Sequence, residues 1–174
     1  NIVDTFLGGM ITSLINGTSN QNLIIYGPKK PINSVKRLVV AVPQMAELEV
    51  GFDIWFDRIK NIASQLSIPV VFYANKNTTI ALKKQCEIHS SLNVSFRELA
   101  SWEDFLIISK HIKHGDTLIV ITARKATLSY NNLFEKIPYS LNKYFTDNNF
   151  LLIYPRQTAP DGTDNDIYNP LKIS

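Results

Sequence analysis

Short apolar runs and longer periodic stretches alternate along the chain from residue 37 onward. A short run rich in Val, Ile, Leu and Phe is typical of a strand buried on both faces, whereas apolar residues three to four positions apart are typical of a covering helix. The alternation predicts an α/β fold, in which an open, mostly parallel, five-stranded sheet carries helices on both faces. The third run is more polar than the others and is expected near an edge. The predicted strands cover residues 37–42, 69–73, 94–98, 117–122 and 150–154.

Helix start and stop signals separate these runs. Asn77 or Thr78 is a candidate cap for the second helix, and Ser101 followed by Asp104 is close to a capping box at the start of the third. Pro138 must kink or restart the fourth helix, because proline cannot donate the backbone hydrogen bond of a helix interior. The predicted helices cover residues 50–66, 77–88, 101–114 and 131–145.

One apolar motif occurs twice. The sequence LIIY at residues 23–26 returns as LLIY at residues 151–154, each time behind an amphipathic stretch and before a proline. If both are closing strands of similar folds, they are natural partners for each other. The repeat therefore predicts the end of one unit followed by a whole second unit.

This interpretation divides the chain into four parts. Residues 1–27 would be the closing helix and strand of a preceding unit, and residues 28–36, with two prolines and three lysines, would be a linker. Residues 37–155 would form the complete domain, and residues 156–174 a flexible tail. The tail residues expected to dock, if any do, are Ile167, Tyr168 and Leu171.

Composition narrows the possible functions. At 174 residues, with 45% hydrophobic side chains, the chain can bury one good core. The formal charge of +3 is spread without a Lys/Arg block, so no nucleic-acid partner is expected. No apolar stretch reaches about 18 residues, and the start at Asn1 without a signal sequence suggests a piece of a longer protein. The lone Cys86 is expected to be a half-buried thiol rather than a nucleophile.

The loops after the strands offer one weak candidate site. In an open parallel sheet, ligands bind outside the carboxyl ends of the strands where the strand order reverses. The loop after the fourth predicted strand supplies Arg124, Lys125, Thr127 and Ser129, enough donors for an anion such as phosphate. This loop has no glycine to let backbone N–H groups approach a ligand, so a solvated surface loop is the alternative.

No catalytic constellation emerges elsewhere. His111 and His114 could place two metal ligands together, but polar capping at a helix end is the simpler interpretation. Glu47 and Glu49 should point to opposite sides, so they form no acid pair. Without a nucleophile, a metal pair or a general base, we expect no enzyme and no metal site.

The alternating five-strand order with an apolar closing strand resembles the universal stress protein family. Nucleotide-binding members of that family carry an aspartate after the first strand and a glycine-rich phosphate loop before the last helix. Here Pro43 takes the place of the aspartate, and residues 122–131 contain no glycine. The resemblance therefore implies no cofactor, with ATP or AMP disfavoured. It also implies antiparallel pairing of closing strands, either within a tandem chain or in a homodimer.

A tighter resemblance is to the tandem stress-protein-like region C-terminal to the membrane domain of bacterial cation/proton (Na+/H+) antiporters. It is carried by residues 38–43, by Gly51-Phe52 with Trp55, and by residues 124–155. It implies a regulatory and dimerisation domain at the cytoplasmic face of the bacterial inner membrane, with the antiporter domain of the same full-length chain as its partner. The alternatives are a free-standing nucleotide-binding stress protein, a nucleotide hydrolase, for which Pro43 replaces the needed acid, and a purely structural dimerisation module.

Overall fold

The strands form one open, twisted sheet. The computed structural model describes residues 23–27, 29–30, 34–88 and 92–157. The strands in these ranges are β1 (Leu23–Gly27), β2 (Arg37–Ala41), β3 (Val70–Ala74), β4 (Val94–Glu98), β5 (Asp116–Ile121) and β6 (Asn149–Tyr154). Their order in the sheet is β1-β6-β5-β2-β3-β4. Strands β2 to β6 pair in parallel, and β1 pairs antiparallel with β6. The predicted α/β class is confirmed, and so is the edge position of the polar strand, β4.

Helical segments cover both faces of this sheet. The α-helices are α1 (Phe52–Leu66), α2 (Lys76–Ile88) and α3 (Ile137–Tyr144), and 3-10 segments occur at Ala46–Leu48, Trp102–Lys110 and Asn132–Lys136. Alternate strand residues feed two separate cores, as the period of two along a strand requires. One core places α1 and Leu82 of α2 against Val40 and Phe72. The other places Phe105 and α3 against Val39 and the opposite sheet face.

The third predicted helix is a 3-10 segment, Trp102–Lys110. Its buried residues, Trp102, Phe105 and Ile108, recur every three positions. That spacing forms one continuous apolar row in a helix with three residues per turn. The predicted capping box is wrong, because the Ser101 hydroxyl donates to the Asp104 side chain rather than capping the backbone.

The cap of α2 also differs from the prediction. Asn75 caps this helix, since its Oδ1 accepts a hydrogen bond of 2.8 Å from the backbone N–H of Thr78. Neither Asn77 nor Thr78 is the cap, because helix α2 already begins at Lys76. Ile80 and Ile88 are exposed, whereas Thr78 and Leu82 face the core.

The predicted break at Pro138 is confirmed. Asn131 caps a 3-10 segment, its Oδ1 accepting from the N–H of Leu133 at 2.9 Å. The chain then restarts as α3, with Pro138 in the first turn, where a missing N–H costs nothing.

The repeated motif forms the pair that the sequence predicted. Ile24 lies directly opposite Ile153, and Leu23 opposite Tyr154, in the antiparallel ladder of β1 and β6. The helix expected before β1 and the tail contacts through Ile167, Tyr168 and Leu171 lie outside the described residues. The four-part domain division stays a prediction. Within the ranges given above, no helix combines the length and the apolar character needed to cross a bilayer.

Candidate functional site

Strand order reverses between β2 and β5. The chain continues from β2 to β3 and β4 on one side, and from β5 to β6 on the other. The loops that leave the carboxyl ends of β2 and β5, residues 42–51 and 122–131, therefore flank the position where parallel sheets bind ligands. We call the space between them the switch-point crevice.

A glutamate bridges this crevice. Oε1 of Glu49, in the loop after β2, accepts hydrogen bonds of 2.8 Å from both the backbone N–H and the hydroxyl of Ser129, in the loop after β5. Bonds to an ionised acceptor are about twice as strong as neutral ones. The two loops are thus fastened to each other by one carboxylate oxygen.

Local folding delivers Glu49 to this position. The 3-10 turn Ala46–Leu48 opens at Met45, which adopts a left-handed conformation with φ of 63°. Gly51 then lets the loop pass against the end of β6, because a Cβ at this residue would lie 2.7 Å from the Cβ of Pro155. The turn and the glycine together position Glu49 beyond the carboxyl ends of the strands.

Arg124 is buried in the wall of the crevice. It is only 5% exposed, and its Nε donates to the carbonyl oxygen of Pro155 at 3.3 Å. Burial lowers the pKa of the guanidinium, and the charge of Tyr154 acts in the opposite direction. Thr127 closes the same turn by donating its hydroxyl to the carbonyl oxygen of Arg124 at 2.8 Å.

Lys125 points to a different partner. Its ammonium forms an ion pair of 3.0 Å with Glu135, and its side chain is 69% exposed. The hydrogen bond to Glu135 raises the pKa of Lys125, and the same bond is the main reason that the pKa of Glu135 is lowered. Tyr130 also donates its hydroxyl to Glu135. Lys125 thus belongs to a surface cluster rather than to the crevice wall.

Three of the four predicted ligand residues, Arg124, Thr127 and Ser129, therefore share one pocket. The pocket has a volume of about 10 Å³, which is room for roughly one water molecule. Whether these residues bind a ligand stays a prediction. The lining residues are Glu49, Thr122, Ala123, Arg124, Thr127, Ser129, Pro155, Arg156 and Gln157.

The two glutamates diverge as predicted. Glu47 accepts a hydrogen bond of 2.7 Å from the hydroxyl of Thr78 on α2, whereas Glu49 reaches the opposite loop. Sequence reasoning left out Glu49 and Arg156 as site residues. Glu49 lies 80 positions before Ser129, and no local motif marks the pairing.

The remaining side chains that could bind a metal or react as a nucleophile are His111, His114 and Cys86. Nδ1 of His111 lies 3.1 Å from the carbonyl oxygen of Ile107, which agrees with a role at the helix end. His114 lies beside the Lys30 ammonium, with 2.9 Å between Nδ1 and Nζ. Across the part of the chain that the structure describes, no group of three His, Cys, Asp or Glu side chains could hold a metal ion. Cys86 is a free, half-buried thiol, as predicted.

No protein-family model matches this sequence, and a search of curated proteins finds no significant match. The candidate site therefore rests on its residues and their geometry.

Proposed function

We propose that this chain is a cytoplasmic regulatory and dimerisation domain of a bacterial cation/proton antiporter, without catalysis of its own. Its task is to bias the membrane domain of the same full-length chain between conformations by binding differently to each of them. The two loops of the switch-point crevice are the part of the domain that senses a change.

One observation carries the proposal: the Glu49 carboxylate holds Ser129 across the switch-point crevice. A nucleotide-binding protein of this architecture keeps that space open for phosphates and lines it with glycines. Here a carboxylate of the chain bridges it, Pro43 lies in the loop after β2, and the loop after β5 has no glycine. A crevice whose two loops are hydrogen-bonded to each other favours a role in conformational coupling over a role in cofactor binding.

The β1–β6 pairing supports a place in a tandem arrangement. Five residue pairs join the two strands, so the β6 edge is already occupied within one chain. A homodimer of the full-length protein must then use another surface, such as the outer edge of β4.

The first test is the coding sequence upstream of Asn1. The proposal requires several apolar segments of about 20 residues each, the length of a membrane-spanning helix. A start codon followed only by a hydrophilic segment would contradict it.

The second test separates sensing from mere dimerisation. In the full-length antiporter, Arg124 and Lys125 are both replaced by Ala, and ion-dependent transport is measured in inverted membrane vesicles. We expect altered ion dependence at an unchanged level of protein in the membrane. A matched variant at Lys84 and Lys110, which lie outside both crevice loops, should behave as the wild type. Unchanged ion dependence of the Arg124/Lys125 variant would remove the sensing role.

A free-standing nucleotide-binding stress protein is the second candidate, favoured by the two arginines that line the crevice pocket. Titration calorimetry of the purified chain with ATP and AMP decides between the two. We expect no measurable heat from either nucleotide, and micromolar affinity would promote the alternative.

A further inference from the structure

The crevice pocket has the composition of an anion site. Two arginines, Arg124 and Arg156, and the hydroxyl residues Thr127 and Ser129 line it. Glu49 is the single acidic side chain among the lining residues. Without that carboxylate the lining would carry two positive charges and no negative one.

The hydrogen bonds of Glu49 are those of a bound oxyanion. One oxygen receives both a backbone N–H and a hydroxyl from Ser129, each at 2.8 Å. Backbone N–H groups that converge with side-chain donors are the usual way in which proteins hold phosphate or carboxylate oxygens. The loop after β5 thus presents its donors to an oxyanion, although the oxyanion comes from the chain itself.

We propose that Glu49 is a built-in occupant of an oxyanion site, and that a small free oxyanion competes with it for the donors of Ser129. The ligand class is a phosphate or carboxylate group. An occupant held on the adjacent loop has a high effective concentration, so it suppresses binding of the free ligand as long as loop 42–51 stays closed.

This competition supplies the proposed sensor with a mechanism, and in that respect it rests on the proposed function. A ligand that takes the donors of Ser129 must release Glu49, and with Glu49 it releases the loop between β2 and α1. Binding of the ligand and opening of the crevice are then one linked equilibrium. The pocket has room for roughly one water molecule, so a larger oxyanion can enter only after the glutamate side chain has left.

The experiment compares Glu49→Ala with the wild-type chain by titration calorimetry against sodium phosphate and sodium acetate at constant ionic strength. We expect the variant to bind at least one of the two anions about tenfold or more tightly than the wild type, within the usual range of such coupling. Preference for phosphate or for acetate identifies the source of the oxyanion. Equal affinity of variant and wild type for both anions would overturn the proposal.

Two further variants keep the result decisive. Glu47→Ala removes a neighbouring carboxylate that bonds to Thr78 instead, and it should bind both anions as the wild type does. An equal gain in that variant would point to general charge removal and would also overturn the proposal. If Glu49→Ala does not fold, Glu49→Gln decides, because its amide keeps the shape and loses the charge. Affinity of Glu49→Gln for both anions equal to that of the wild type counts against the proposal.

If the anion titrations of the Glu49 variants are negative, only the proposed competition with a phosphate or carboxylate ligand is excluded. The antiporter function is tested separately, by the coding sequence upstream of Asn1, so the two failures can be told apart.

Discussion

Among single residues, Asp116 carries a deeply buried charge at the amino ends of the parallel strands. Its side chain is 3% exposed and faces the guanidinium of Arg37, whose Nε donates to Oδ1 at 3.0 Å. The backbone N–H of Lys113 donates to the same carboxylate at 2.7 Å. The hydrogen bond that Arg37 donates to Asp116 is the main reason that the pKa of Arg37 is raised.

Asp116→Ala should therefore lower the free energy of unfolding by about 2–4 kcal/mol, because it leaves the Arg37 charge and the Lys113 donor without their acceptor. Urea denaturation followed by circular dichroism measures the loss. The control is Asp57→Ala, which removes the ion pair between the exposed Asp57 carboxylate and the half-buried Lys60 and should cost about 0.5 kcal/mol or less. Equal losses in the two variants would show that the buried ion pair contributes no more than a surface pair.

A second prediction concerns Cys86, the single cysteine of the chain. Burial raises the pKa of its thiol, so at a given pH the native chain contains less of the reactive thiolate than the unfolded chain does. Iodoacetamide should modify the native protein several-fold more slowly than the urea-unfolded protein at the same pH. Mass spectrometry of timed samples gives both rates, with a cysteine-containing peptide as the reference for urea effects. Equal rates would place the thiol in open solvent.

Residue-level chemistry was only partly predictable. The sequence assigned Arg124, Thr127 and Ser129 to one loop correctly, because neighbours in sequence need only a turn to meet. It could not assign Lys125 to Glu135 or Glu49 to Ser129. Such pairings depend on how separate segments of the chain approach each other in space, and no short motif encodes that approach.

For the helices, the cap of α2 gives a direct comparison between sequence pattern and geometry. Asn75→Ala removes the acceptor for the N–H of Thr78 and should reduce the free energy of unfolding by about 1 kcal/mol. Asn77→Ala is the matched control, since Asn77 lies inside α2 and is exposed. Thermal and urea denaturation of both variants provide the measurement. A larger loss at Asn77 than at Asn75 would reinstate the cap suggested by the sequence.

Element types were predicted best where burial is complete. The residues of β2, β3 and β5 are buried almost throughout, and their Val- and Ile-rich runs leave no other assignment. The 3-10 segment Trp102–Lys110 was missed because its apolar spacing of three residues lies close to the helical period. In α2, Ile80 and Ile88 are exposed while Thr78 and Leu82 are buried, so apolar residues alone do not identify the buried face of this helix.

For the whole molecule, the position of β1 has the largest consequence. The sheet order places β1 at one edge, where it pairs with residues 150–154 of β6 in an antiparallel ladder. This contact was predictable because the same apolar motif occurs twice. The order of the inner strands was not predictable, because an apolar run identifies a strand but does not identify the strands that pair with it. Without β1, the edge of the sheet would be β6, with Leu151 and Leu152 at its centre.

A chain that begins at residue 28 should therefore self-associate. The exposed edge would offer unpaired backbone N–H and C=O groups between apolar side chains, which is a template for pairing with another copy. Size-exclusion chromatography with light scattering should find a larger mass than for the full chain at equal concentration, and the mass should rise with concentration. Removal of residues 158–174 instead keeps β1 in place and should leave the association state of the full chain unchanged. If the chain lacking β1 remains as small as the full chain, the β6 edge needs no cover, and the tandem arrangement loses its physical basis.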